Sequence, residues 1–360
     1  MSRPAHEPAG RSSKGIGIIV KLLERAPIGL HFDDAAPLLA VESLSVDFRL
    51  RNNVAHALRN VSFSLEAGET LALLGESGCG KSVTAKTIMG ILDVPPGEVK
   101  SGSIRFRGVD LLKLPERKRR SLRSTKVAMV FQDALSALNP VFTVGFQLSE
   151  MFTVHRGMSR HDARLKAVEM LEAVRIPDAK SRLDDYPHQF SGGMRQRVVI
   201  AMALALDPEV LIADEPTTAL DVTVQAQIMS LLDDLRRDRN MGLILITHDM
   251  GVVAEIADRI AVMYAGQIVE SADAIDVYRQ PAHPYTKALL ESIPRLDDRG
   301  TELAAIGGLP PDLSGLPAGC SFAPRCRFAR EECRSDSPPL YDISSERSSR
   351  CHYWEAVVSS

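Results

Sequence analysis

Residues 70–92 read TLALLGESGCGKSVTAKTIMGIL. The run TLALLGE (70–76) is almost continuously apolar, the pattern of a parallel strand buried on both faces. KSVTAKTIMGIL (81–92) carries the spacing of an amphipathic helix. Between them, GESGCGKS (75–82) fits G-x-x-x-x-G-K-[ST] in the strand–loop–helix setting that a phosphate-holding loop requires. Gly75, Gly78 and Gly80 allow successive backbone N–H groups to turn into one concavity, a nucleotide-binding cradle that also takes in Ser77 and Cys79. The positive end of the following helix adds to the anion-binding field. Lys81 is expected to reach the β- and γ-phosphates, and the Ser82 hydroxyl to bind Mg²⁺.

A second apolar run, VLIADEP (210–216), delivers Asp214 at its end, where a carboxylate can hold the Mg²⁺ that Ser82 also touches. Glu215 follows directly and points elsewhere; a second carboxylate there can polarise an attacking water. Water attack means hydrolysis, which disfavours a small-molecule kinase.

Similar runs flank these two. LAVESLSVDF (39–48) alternates as a strand does, and NVSFSLEAGE (60–69) reads as a strand leading into a turn. SIRFRG (103–108), VAMVFQ (127–132) and GLILITHD (242–249) are further strand candidates. Residues 192–207 and 221–238 are helical in period, as are LSEMFTVH and RHDARLKAVEMLEAV between 133 and about 190. Strands alternating with helices predict an α/β fold, a three-layer core around a mostly parallel sheet. Ligands bind such sheets at the strand C-terminal ends.

The chain has 360 residues, 45% hydrophobic and 25% charged, ample for a sizeable core and consistent with about two domains. A formal net charge of −3 argues against a protein that coats nucleic acid. No run approaches the roughly 18 to 20 apolar residues of a membrane span. GIGIIVKLL (15–23) is too short, contains Lys21 and lacks a small-residue cleavage pattern, so it is not read as a signal peptide and the protein is expected to stay in the cytoplasm. Residues 1–38 read as a flexible arm, 39–272 as the main domain with a helical subdomain at about 133–200, and 273–360 as an extension reached through Pro-interrupted sequence.

YPHQFSGGMRQRVVIAMAL (186–204) carries the family resemblance. FSGGMRQR is similar to the signature motif of ATP-binding cassette (ABC) ATPases, with Phe190 and Met194 at positions that commonly hold Leu and Gln, and with Ser191, Gly192 and Gly193 intact. A Ser-Gly-Gly at a helix start offers a hydroxyl and unprotected N–H groups to an anion. The resemblance implies that this second grip serves the nucleotide of a partner subunit, so that two ATPs join two cassettes. Gln132 in VFQD resembles the Q-loop glutamine, which senses Mg²⁺ and the attacking water. Asp221 in TTALD (217–221) resembles the D-loop aspartate, and His248 in THD the switch histidine that contacts the γ-phosphate. Phe48 occupies the place of the aromatic that stacks on adenine. The resemblance thus implies catalytic roles for Glu215, His248 and Gln132, and a P-loop NTPase cassette with a mixed sheet and a helical subdomain.

Lys81 and Ser191 are 110 positions apart, with no long coiled coil between them. Together with a single cassette and no membrane span of its own, this resembles the motor subunit of a bacterial importer. VFQDALSALNP (130–140) and QPAHPYTKALLESIP (280–294) resemble the oligopeptide/dipeptide (and nickel) importer subfamily. That implies a second cassette, a paralogue by preference, two transmembrane permeases, an extracytoplasmic binding protein, and a peripheral place on the cytoplasmic face of the inner membrane. The cargo stays open among peptides, nickel, haem and glycosides.

Four of the five cysteines, Cys320, Cys326, Cys333 and Cys351, fall in the last 41 residues, separated by five, six and seventeen residues. A disulfide framework does not suit a reducing compartment. Closely placed thiols hold zinc or an iron–sulfur cluster, although short zinc knuckles are lacking here. The subfamily resemblance implies a [4Fe–4S] cluster; zinc and unligated thiols stay open, as does His352 as an alternative ligand. Arg325, Arg327, Arg330, Arg334 and Arg350 are expected to offset a tetrathiolate and depress the thiol pKa values.

Overall fold

Successive residues of the apolar runs enter different cores. Leu71 and Leu73, Ile212, and Ile244 and Ile246 pack into one buried cluster, while Ala72 and Leu74, Leu211 and Ala213, and Leu243 and Leu245 pack into another. This is the period-two alternation of a strand, applied to a sheet covered on both faces.

The computed structural model describes residues 30–133, 137–218, 220–293 and 306–360. Most of the expected N-terminal arm, including 15–23, lies outside them. In chain order the described elements begin with β1 (Leu39–Arg49), β2 (Val54–Leu65), β3 (Thr70–Leu74), α1 (Lys81–Met89), β4 (Gly97–Phe106), β5 (Val109–Asp110), α2 (Glu116–Leu122) and β6 (Val127–Val130). A helical stretch follows, with α3 (Val144–Arg156), α4 (Arg160–Ala173), α5 (Ala179–Arg182) and α6 (Gly192–Leu204). Then come β7 (Val210–Asp214), α7 (Val222–Arg239), β8 (Gly242–Thr247), α8 (Met250–Ile256), β9 (Arg259–Tyr264), β10 (Gln267–Asp273), α9 (Ala274–Arg279) and α10 (Pro284–Glu291). The C-terminal part holds α11 (Glu332–Ser335), β11 (Tyr341–Asp342), β12 (Ser348–Ser349) and α12 (Trp354–Val358).

Two sheets result among the described residues. The larger has the order β11-β12-β10-β9-β3-β8-β7-β6; its segment from β9 to β6 is parallel, and β10, β12 and β11 are antiparallel. The smaller, β2-β1-β4-β5, is antiparallel throughout. Its Leu39, Val41, Leu58 and Ile104 share a core with Leu71 and Leu73 of β3, so one face of the parallel sheet is covered by a second sheet as well as by α1. The helices α3, α4, α6 and α7 cover the other face through Leu148, Ala167, Val198 and Leu232. The three layers read from the sequence are present, and one of them is a sheet rather than a row of helices.

The C-terminal part joins the larger sheet directly. Ser348 and Ser349 of β12 pair with Ser271 and Glu270 of β10. Glu270 is fully buried, and its carboxylate accepts N–H bonds from Ala282 (2.6 Å) and His283 (3.0 Å). Burial pushes its pKa from 4.5 up to about 7. A carboxyl raised in the fold stabilises below its unfolded pKa, and that contribution is lost as pH rises through the folded value. Glu270→Gln removes this titration. Its stability relative to native protein is therefore expected to rise with pH between about 4.5 and 7, at up to roughly 1.4 kcal/mol per unit, on top of any constant penalty. Denaturant midpoints across that window check this; a difference that is flat or falls with pH contradicts it.

Candidate functional site

Adjacent strands β6, β7, β8 and β3 end side by side, and the residues singled out by sequence follow those ends. Gly75 follows β3, Gln132 lies two residues past β6, Asp214 closes β7 and His248 follows β8. This is the sheet edge at which open α/β folds bind ligands.

The phosphate loop has the backbone its glycines permit. Gly75, Gly78 and Gly80 have φ of 149°, 80° and 113°. A Cβ at Gly75 would lie 2.2 Å from the Met263 carbonyl oxygen, so no larger residue fits. Gly80 caps α1 without a side-chain hydrogen bond, which leaves the first-turn N–H groups for an anion. Ser77 and Gly78 are exposed at the rim. Cys79 is buried, and burial raises its thiol pKa, so it keeps its proton and contributes backbone. Lys81 is buried; its Nζ donates to the carbonyl oxygens of Gly75 (2.6 Å) and Glu76 (3.1 Å). To reach a phosphate it must exchange these partners.

Ser82 Oγ donates to Asp214 Oδ1 at 3.1 Å. Burial lifts the Asp214 carboxyl above its usual range; the Ser82 bond opposes this and the neighbouring Glu215 charge adds to it. A cation at this pair would favour ionised Asp214, and the hydroxyl–carboxylate donor set suits Mg²⁺. Glu215 takes a left-handed conformation, φ 46°, rare for a non-glycine residue and costing about 1 to 3 kcal/mol. The bend is held by its N–H donating to Ile246 carbonyl oxygen at 2.8 Å. It turns the carboxylate away from Asp214 and into a ring of polar groups. Gln132 Nε2 donates to Oε2 at 2.9 Å, Thr218 Oγ1 donates to the same oxygen at 3.0 Å, and His248 Nδ1 lies 3.3 Å from Oε1.

The remaining residues lie elsewhere. Ser191 caps α6, its Oγ accepting from Met194 N–H at 3.4 Å, and both Ser191 and Gly192 are exposed. Gly193 is where α7 presses on α6: a Cβ there would meet Val224 Cγ1 at 2.5 Å. Asp221 caps α7, accepting from Val224 N–H at 2.9 Å, and Ala219 of the same motif lies outside the described residues. Phe48 sits in β1, opposite Ala55 of β2 and Gly97 of β4, half-buried against the core shared by the two sheets.

Cys320, Cys326, Cys333 and Cys351 line one cavity, walled by Phe322 and His283. Their expected electrostatics need correction. Burial pushes the Cys320 thiol up, Cys326 to about 11 and Cys351 to about 12. Burial outweighs the arginines: Arg327 lowers the Cys326 thiol by less than burial raises it, and Arg325 pairs with Glu76, Arg327 with Glu291, Arg330 lies over the Tyr353 ring and Arg350 donates to the Ile268 carbonyl oxygen. His352 Nδ1 lies 3.0 Å from the Tyr341 hydroxyl. Among the described residues, no group of three or more His, Cys, Asp or Glu is placed to hold a metal ion.

Three contributors escaped the sequence reading. Thr218 grips Glu215. Gln147, buried in α3, accepts from Asn139 N–H and donates to the Asn139 and Phe142 carbonyl oxygens, fixing the turn after the Q-loop. Glu76 is bonded through its N–H to Tyr285 Oη at 2.8 Å and through its carboxylate to Arg325. Thr218 and Glu76 lie inside TTALD (217–221) and GESGCGKS (75–82), and that placement is the local signal for them; Gln147 has none.

Residues 58–218 match the ABC transporter family and 269–333 the family described as oligopeptide/dipeptide transporter, C-terminal region. The chain is 53% identical over 289 residues to the dipeptide transport ATP-binding protein DppD of Bacillus subtilis, covering 80% of this chain and 86% of that one. It is 51% identical over 314 residues to the oligopeptide transport ATP-binding protein OppD of Salmonella typhimurium, covering 87% and 93%. Among solved structures, a dimeric ATP-binding cassette in a post-hydrolysis state bound to ADP and Pi superposes with a TM-score of 0.59 at 27% identity, over 66% of this chain and 98% of that one. With hydroxyl, lysine and paired carboxylates gathered at one sheet edge, and with these relatives along nearly its whole described length, the chain belongs to the ATP-hydrolysing ATP-binding subunits of ABC transporters, in their oligopeptide/dipeptide group.

Proposed function

We propose that this chain is the motor subunit of an importer of di- and oligopeptides, in which Glu215 is the general base of ATP hydrolysis. The carrying observation is the Glu215 carboxylate, bent out of line with Asp214 and held by Gln132, Thr218 and His248. A base must be fixed within hydrogen-bond reach of the water whose proton it takes. Lys81 and the N–H groups of 75–82 hold the phosphates, and Ser82, Asp214 and Gln132 would hold Mg²⁺. That ion supplies neutralisation of the charge developing on the transferred phosphoryl group. His248 senses the γ-phosphate, and Phe48 takes the adenine.

Ser191, Gly192 and Gly193 serve the nucleotide of a second cassette, with Asp221 at the shared seam. Exposure of Ser191 and Gly192 suits such a contact. The second cassette is a paralogue. Cargo is assigned as peptide from the names of the relatives. Two permeases and an extracytoplasmic binding protein complete the machine, on the cytoplasmic face of the inner membrane; no helix among the described residues is long and apolar enough to cross a membrane. Permease docking is supported by exposed apolar side chains at and after the Q-loop, Phe131, Val141, Phe142 and Phe146, of which the last two stack with ring centroids 4.8 Å apart.

The division into a cassette at 39–272, with its helical subdomain at about 133–200, and an extension at 273–360 belongs to the same reading. Within the extension, the four cysteines hold a [4Fe–4S] cluster. What supports this reading is that all four cysteines line one cavity, four thiols being the ligand set of such a cluster. Uptake of labelled peptide into vesicles carrying the permeases, with this chain native or Glu215→Gln, tests the assignment.

A further inference from the structure

Every polar group of Glu76 is engaged. Its N–H donates to Tyr285 Oη at 2.8 Å, and its carbonyl oxygen accepts from Lys81 Nζ at 3.1 Å and from Cys79 N–H at 3.3 Å. Its carboxylate takes both arms of the Arg325 guanidinium, at 2.6 and 2.9 Å. Arg325 comes from the extension, one residue before Cys326, and its side chain is only 4% exposed. Its Nε donates to the Gly307 carbonyl oxygen at 2.8 Å and its guanidinium lies over the Tyr264 ring. The fork is therefore fixed from several sides, and a bidentate pair of this kind is both strong and directional.

A carboxylate inside an anion-binding loop works against the loop's purpose. Unpaired, it repels incoming phosphate and competes for the ammonium of Lys81, which already binds the carbonyl of the same residue. Arg325 cancels that charge where Glu76 stands. We propose that Arg325 is a positioning residue for ATP: by neutralising and holding Glu76, it frees Lys81 to pass from the loop carbonyls to the phosphates. The extension then sets the nucleotide affinity of the cassette without touching the reacting atoms. This rests on 75–82 being the ATP site.

The test is ATP affinity, as KM and by equilibrium binding of a fluorescent ATP analogue, in the assembled transporter. Arg325→Met is expected to raise KM and the analogue's Kd by about tenfold or more, the range of an ordinary coupling between sites, while kcat at saturation changes little. Adding Glu76→Gln to Arg325→Met removes the uncompensated anion and is expected to restore affinity most of the way to native. A merely structural role for Arg325 predicts no such rescue. Arg327→Met, which breaks the exposed pair with Glu291, serves as a control from the same segment and leaves KM unchanged. An unaltered KM in Arg325→Met overturns the proposal while leaving the ATP site intact, and so does a raised KM that the second substitution fails to rescue. Native protein that binds no ATP overturns both.

Discussion

Glu215→Gln is expected to lower ATP turnover by about a thousandfold, within the range a positioned general base supplies, while ATP affinity is kept. Glutamine has nearly the same shape, so Gln132 and Thr218 keep an acceptor to donate to, and the left-handed bend at this residue persists because the Glu215 N–H bond to Ile246 is a backbone bond. What is lost is the ability to take a proton from water. The loss therefore falls on kcat and not on binding, the mark of an interaction made only in the transition state. Peptide uptake should fall in parallel, because reopening of the cassettes depends on hydrolysis. Turnover near the native rate, measured by phosphate release at saturating ATP, contradicts the base assignment.

The second large effect concerns the four-thiol cavity. Protein purified without oxygen is expected to be brown and to carry about four irons per chain, and Cys351→Ser to lose most of them with the visible absorption. Because burial raises the thiols of Cys320, Cys326 and Cys351, loading must expel their protons. Binding free energy gained there is also folding free energy for a small layer with little core of its own. The Cys351→Ser variant should thus be cut by protease first within 306–360, while the rest of the cassette resists. Cys79→Ser, in the phosphate loop, keeps its iron. Colourless native protein without iron, whether it holds zinc or nothing, contradicts the cluster.

Local pattern carried much of this fold. The alternation in 39–48 and the apolar runs at 70–76, 210–216 and 242–249 became β1, β3, β7 and β8, because a strand buried on two faces needs apolar residues at nearly every position. β1 and β2 form a hairpin through a short turn, but nothing local announces that β4 joins β1 in a separate antiparallel sheet, nor that β12 pairs with β10; those pairings join residues far apart in the chain and leave no periodic trace. The site shows the same division. Loop 75–82, Asp214, Glu215 and His248 each follow an apolar strand and could be placed from sequence. Arg325 could not, since 249 positions separate it from Glu76 and its surroundings suggested a counter-charge for thiols. Thr218 and Gln147 are ordinary polar residues until the chain folds.

The central claim is that ATP is split in a pocket completed by Ser191 of another cassette. ATP turnover per chain, measured over a wide range of protein concentration with and without the partner cassette, tests it most directly. The account predicts negligible turnover for the dilute chain alone, a rise as cassettes associate, and loss of that rise when Ser191 is replaced by arginine. Full turnover by the isolated monomer, constant with dilution and indifferent to Ser191→Arg, would contradict it.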